Sequence, residues 1–356
     1  MTSAVLLDAG RSAIVPDDPG LPETPVGLTE DLIRAMLSRT RLRPAELTDL
    51  FLADPRCLST GCSAGEAGWV FEPPPFGLST TVCASSSTAV QQAIRTIERQ
   101  PEVVAVVAAI DFGAVPAGPG ESAAELLRHQ RAARMVAARW DVAPDELGRW
   151  ARWSAKRAAE CSAAGDFAAE ILCTSRGYLA DRFPDPAPGD AFSGGSGRGA
   201  AAVLDDGPAV PACPSRGASA MILASEANAV ELGLRPRAWL RATGTVRGHT
   251  CCGVAPPAGA VDELLAPCGL DVHELDQLEV PEKFAVTPIA WIKETGISPY
   301  LVNPRGGELA FGHLPRSGHL RSLVTMLNSL EATGGRAGAV VAAERDATTG
   351  VVVLRD

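Results

Sequence analysis

The chain has 356 residues, too many for a minimal binding module and enough for two domains or one doubled fold. With 46% hydrophobic and 21% charged residues its composition is ordinary for a globular protein, which sets aside disordered and fibrous classes. Its 32 basic and 42 acidic residues leave a net charge of −10, and no Lys/Arg run supplies the basic stripe that nucleic acid requires, so nucleic acid is not expected as a partner.

In chain order, residues 4–8 read as a first strand, and residues 29–39 as a helix with Leu32, Ile33, Met36 and Leu37 on one face. A short apolar strand over 50–53 comes next. Residues 79–94 set Cys83 between an extended stretch and a helix with Ala89, Val90, Ala93, Ile94 and Ile97 on its apolar side, and 103–110 reads as a buried strand. That run is the longest apolar one, far below the ~20 residues of a membrane span. With no basic leader at the start, a cytoplasmic protein without a membrane partner is expected. Residues 121–170, rich in Ala and Arg, read as two or three helices, followed by a Gly/Pro/Ser-rich loop over 177–199. A helix over 320–330 and a buried strand over 339–343 close the chain.

The nine cysteines, at 57, 62, 83, 161, 173, 213, 251, 252 and 268, are odd in number and lack paired C-x-x-C spacing, so neither a disulfide framework nor a metal site is expected. Lysine occurs only at 156, 283 and 293, and with 35 Gly and 28 Pro this points to a genome rich in G and C.

An internal repeat organises the chain. The stretch 41–52, RLRPAELTDLFL, has a counterpart in 269–280, GLDVHELDQLEV, each following an amphipathic helix and entering an apolar strand. Cys83 lies 36 residues after Leu47, and His313 lies 38 after Leu275, each just before a helix that leads into a buried strand. Two α/β halves of this kind pack about a pseudo-two-fold axis with mainly parallel sheets covered on both sides by helices, which brings Cys83 and His313 to one pocket. The boundaries drawn are 1–111 with 206–230 for the first half, 112–205 for an inserted domain, and 231–356 for the second half.

Cys83 is read as the cap of its helix, where unpaired amides and the dipole favour a thiolate. Position alone also fits a buried structural cysteine. His313 stands in a glycine-bounded loop, suited to take the thiol proton or to donate to a thioester oxygen as charge develops on it.

These segments resemble the thiolase family, within the superfamily that includes ketoacyl synthases. Residues 80–85, TTVCAS, are similar to the nucleophile segment T-x-N-x-x-C-G-S-G, and 306–313, GGELAFGH, to G-G-x-x-x-x-G-H. Residues 154–158 and 165–171 resemble the S-H-Q-R-A and G-x-F-x-x-E-I runs of the family's loop domain, and 218–234 the segment that closes the first half. The resemblance implies a thiolase fold, two βαβαβαββ halves in five layers α-β-α-β-α with a helical and loop insertion in the first. It further implies Cys83 and His313 as catalytic residues, a homodimer, and no cofactor beyond the acyl thioester substrate.

The departures bear on the reaction. Where the family carries C-x-G, with its second catalytic cysteine, the chain reads 340–346, VVAAERD, and where it carries N-E-A-F the chain reads Pro281, Glu282, Lys283, Phe284. Candidate pocket-lining residues are therefore Cys252, Pro281, Glu282, Phe284, Ala343 and Glu344; Glu282 and Glu344 fit structural or solvated carboxylates better than replacement proton carriers. Loss of the second thiol leaves acyl transfer through Cys83, from CoA or an acyl carrier protein to a small hydroxyl or amine acceptor, as the first expectation, in specialised metabolism. A decarboxylating condensing enzyme and a non-catalytic scaffold subunit stand as alternatives.

Overall fold

A computed structural model of the chain describes residues 3–16, 25–53, 75–111, 123–172, 180–183, 212, 215–248, 253–255, 259–343 and 347–356. The first part carries β1 (Ala4–Arg11), β2 (Val15–Pro16), α1 (Pro25–Thr40), β3 (Asp49–Ala53), β4 (Ser79–Cys83), α2 (Ser86–Arg99) and β5 (Val104–Asp111). Helices α3 (Ala123–Arg139) and α4 (Pro144–Ala164) follow, then β6 (Ser215–Ser225), α5 (Glu226–Glu231) and β7 (Ala238–Arg247). The chain ends with α6 (Ala260–Leu265), β8 (Gln277–Glu279), α7 (Val286–Thr295), α8 (Glu308–Phe311), α9 (Gly318–Thr333), β9 (Ala337–Ala343) and β10 (Ala347–Leu354).

The strands run in the order β4-β3-β5-β6-β1-β7-β10-β9-β8, with β2 beside β6. Residues 4–6 of β1 pair with 238–240 of β7 and so join two halves. Period-two alternation divides the apolar residues of each half between two faces. In β5, Val104, Val106 and Ala108 pack with Leu32, Ile33 and Met36 of α1, while Ala105, Val107 and Ala109 face Val90, Ala93 and Ile94 of α2. In β9, Val340 joins that second cluster with Leu323 and Leu327 of α9, whereas Ala339 and Val341 pack with Val261, Ile289 and Trp291. Helices α2 and α9 therefore form a central layer between the halves. With α1 outside one half and α6, α7 and the inserted helices outside the other, the five expected layers are present.

The repeat is visible at the level of caps. Leu47 and Leu275 each end a single 3-10 turn, with φ/ψ of −76°/137° and −78°/133°, and in each turn a glutamate accepts at 2.7 Å from the amide three residues before it, Glu46 from Arg43 and Glu274 from Asp271. The halves are not equal, however. Where the first half has β4 beside β3, the second has only a single parallel bridge between Leu278 and Val302. There the Asn303 side chain takes over the ladder, accepting from the Val280 amide at 2.8 Å and donating to its carbonyl at 3.0 Å.

The sheet is mixed rather than mainly parallel. Only β3–β4, β3–β5 and β8–β9 are parallel; β5–β6, β1–β6, β1–β7, β7–β10 and β9–β10 are antiparallel. The antiparallel pairs arise where a strand returns against its neighbour without a crossover helix: β10 follows β9 after three residues and can only run back along it.

The inserted helices cross to the second half. Val136 and Trp150 pack with Phe284 and Trp291, and Arg157 donates to the carbonyls of Pro299, Val302 and Asn303. Glu282 fixes this seam: its carboxylate accepts from Trp150 Nε1 at 2.9 Å, Ser154 Oγ at 2.7 Å and Asn303 Nδ2 at 2.9 Å. Gly307 lies against the same carboxylate so closely that a Cβ there would overlap it. Gly307→Ala should therefore destabilise the fold by about 1–3 kcal/mol, the usual cost of overpacking, read as a lower urea midpoint at unchanged slope.

Candidate active site

Cys83 ends β4, and its chain continues through Ala84 to Ser85, the N-cap of α2, whose hydroxyl accepts from the Thr88 amide at 3.2 Å. The cap is thus Ser85 and not Cys83. A hydroxyl oxygen is a better acceptor for the orphan amides than a thiol, and three serines follow in a row. The Cys83 thiol instead packs in the central apolar layer, 2% exposed, and donates to Gln92 Oε1 at 3.4 Å.

His313 follows α8, and the chain turns into it through Gly312 at φ 95°, a conformation that favours glycine. Glu308 Oε1 lies 3.3 Å from His313 Nδ1, an ion-pairing distance off the line of a hydrogen bond. Burial pushes the Glu308 carboxyl up, but His313, Arg321 and the Leu314 amide outweigh it and hold it below the usual carboxylate range. The loop beyond is tied to the first half through Asp111, at the end of β5, which accepts from the Ser317 amide at 2.8 Å and hydroxyl at 2.6 Å.

A cavity of about 320 Å³ lies between these loops. His313, Pro281, Phe284 and Ala343 line it, together with Ser85, Ser86 and Ser87 from the start of α2. Lys283 and His129, from the second half and α3, meet at its wall with Nζ to Nδ1 at 3.1 Å. Two expected residues are not part of the wall. Cys83 is buried in the central apolar layer, where its thiol has an acceptor and apolar neighbours. Glu282 is fully buried in the seam, because its carboxylate needs the donors of α4 and Asn303, and burial pushes its pKa up despite them. Cys252 and Glu344 lie outside the described residues. No cysteine lines the cavity among the described residues, nor does any group of His, Cys, Asp or Glu there suit a metal ion.

Residues 234–355 match the model of the thiolase C-terminal domain. Along its length the chain is 27% identical to the steroid 3-ketoacyl-CoA thiolase FadA6 of Mycobacterium tuberculosis, over 99% of this chain and 94% of that one. The chain is thus similar to thiolases along its length. It is 26% identical to the cytosolic acetyl-CoA acetyltransferase of Rattus norvegicus, over 94% of this chain and 93% of the relative. The fold matches a crystal structure of human mitochondrial 3-ketoacyl-CoA thiolase in complex with CoA, with a TM-score of 0.79 and 18% identity over 100% and 98% of the two chains. This is a thiolase fold. Among the described residues no helix is long and apolar enough to cross a membrane.

Sequence reasoning missed Asp111, Glu308, Gln92 and His319. His319, the second residue of α9, also lines the cavity; burial pushes its pKa down to about 4, a weak pull from the Val340 backbone notwithstanding. Neither ring nitrogen has a hydrogen-bond partner. Its depressed pKa contributes stability present above about pH 6.5 and lost as pH falls through about 4, since the unfolded chain takes up the proton first. His319→Leu should flatten the pH dependence of unfolding in that window, where one such proton is worth at most about 1.4 kcal/mol per pH unit.

Proposed function

We propose that the chain is a thiolase-like acyltransferase that loads an acyl group onto Cys83 from a CoA or carrier-protein thioester and passes it to a hydroxyl or amine acceptor. In loading, the Cys83 sulfur attacks the thioester carbonyl, the bond to the donor's sulfur breaks, and the donor leaves as a thiol carrying the cysteine proton. In transfer, the acceptor oxygen or nitrogen attacks the acyl carbon, its proton passes to the His313 imidazole, and the bond to Cys83 breaks; the imidazolium then returns the proton to the sulfur. Glu308 would steady the imidazolium that forms between the steps.

The observation that carries this reading is the composition of the cavity wall. At β9, where the family's second thiol is expected, the wall offers Val341 and Ala343, and where an asparagine is expected it offers Pro281. A base is present and a second thiol for a carbanion step is not, among the described residues. The names of the relatives, 3-ketoacyl-CoA thiolases and acetyl-CoA acetyltransferases, support acyl chemistry on a CoA thioester. The arginine-for-lysine composition and the altered loops fit a role in specialised metabolism.

Incubation with a panel of acyl-CoA and acyl-carrier thioesters, followed by intact-protein mass spectrometry, should give an acyl increment that Cys83→Ser abolishes. His313→Ala should leave some loading and slow transfer about 10²- to 10⁴-fold. Robust thiolysis of acetoacetyl-CoA with free CoA would overturn the assignment, and a decarboxylated, chain-extended product would move it to a condensing enzyme.

The same reading includes a homodimer. Strand β4 is a sheet edge with Ser79 and Thr81 exposed, and pairing of two such edges would remove an open ladder beside the nucleophile. Sedimentation should give a dimer at micromolar concentration; monomer alone would count against it.

A further inference from the structure

The contact between Cys83 and Gln92 belongs to neither the fold's seams nor the cavity wall. Gln92 stands on α2, nine residues on from Cys83 and half-buried, and its Oε1 is 3.4 Å from Sγ. The carbonyl of Thr81, at 3.9 Å, is a much longer second acceptor on the same side. An amide oxygen that accepts from S–H binds the neutral thiol and disfavours the thiolate, since a thiolate would meet the oxygen with like charge. The contact thus acts on the sulfur in two ways: it favours the protonated form, and it fixes the side chain on Gln92 rather than among the residues, Ser85–Ser87 and His313, that line the cavity.

We infer that Gln92 is a positioning residue for the nucleophile, holding the Cys83 thiol protonated and retracted until the sulfur turns towards the cavity. The inference rests on the reading of Cys83 as the acyl carrier. It assigns the resting state of the site: loading begins with loss of the Gln92 contact, and a substrate that fills the cavity beside Ser85–Ser87 competes for the sulfur. The rate at which a small electrophile reaches Cys83 then contains the equilibrium for breaking this contact.

Alkylation by iodoacetamide tests it without any substrate. The Cys83 sulfur forms a bond to the acetamide carbon, iodide leaves, and the thiol proton goes to solvent; the modified site is read by peptide fragmentation, because the chain holds nine cysteines. Gln92→Leu removes the acceptor at similar size and should raise the Cys83 rate at pH 8 about fivefold, the worth of one ordinary hydrogen bond. Gln92→Glu keeps an acceptor and adds charge, and should hold the rate at or below that of the parent, with the rise in rate displaced to higher pH. An unchanged or slower rate in Gln92→Leu, with native circular dichroism, overturns the inference. If Gln92→Leu does not fold, Gln92→Met gives the same readout with the same two outcomes. Faster alkylation in Gln92→Leu with no acyl adduct from any thioester would uphold the positioning role and sink the acyltransferase reading, so the two fail separately.

Discussion

Glu282 is the interaction on which the arrangement of this site depends. Its carboxylate sits in the interior, where an ion without partners costs several kcal/mol, and it is met by donors from three separate parts of the chain: Trp150 and Ser154 on α4, Asn303 beyond the vestigial strand, and the Leu309 amide of α8. Ser154 also accepts from the Gly307 amide at 3.0 Å, so the loop that delivers His313 is fastened to the inserted helix through one hydroxyl. The glycines at 306 and 307 follow from this. A Cβ at Gly306 would meet Ala158 and the Ser154 carbonyl at 2.8 Å, and Gly306 holds φ 86°. The backbone has to pass that close for the polar groups to meet.

A second set of buried charges does similar work on the first half. Arg11, at the end of β1 and fully buried, donates to Glu170 at 2.6 Å and to both oxygens of Asp181 at 2.6 and 2.8 Å, with the rings of Phe167 and Phe311 against its guanidinium. Ion pairs of this kind add little stability over well-packed apolar residues, yet removing one partner is costly because the other charge is stranded. Their effect is to permit one docking and penalise others. Thr325 of α9 shares the Glu170 oxygen, which links the inserted segment to the central helix layer.

Much of this was legible in the sequence, and the parts that were not share a cause. The strands and helices read from period and composition appear where they were placed, 339–343 lying within β9 (Ala337–Ala343), whereas β6, β7 and β10 have no counterpart in that reading. The repeat of RLRPAELTDLFL and GLDVHELDQLEV is visible because its cap residues are local. His313 stood out for its glycines, which the backbone requires. Cys83 was misplaced by two residues relative to the helix start, since CASSS contains several residues able to cap and only the φ/ψ of Ser85 decides among them. Glu282 reads as a loop carboxylate until α4, 128 residues earlier, supplies Ser154. Asp111 meets Ser317 across 206 residues, a separation at which no pattern in a single sequence marks a pair.

The cavity is assembled from the same distant pieces. Its serines come from the first half, His129 from the insertion, and Pro281, His313 and His319 from the second half, so it exists only while the seams at Glu282, Asp111 and Arg11 are closed. The side chains of Pro281, Val341 and Ala343 in the wall take no part in the hydrogen bonds of those seams. Glu308 also braces the loop that carries His313, accepting from the Leu314 amide at 3.5 Å and lying 2.6 Å from where a Cβ of Gly318 would stand. Glu308 therefore serves both the His313 side chain and the loop that carries it.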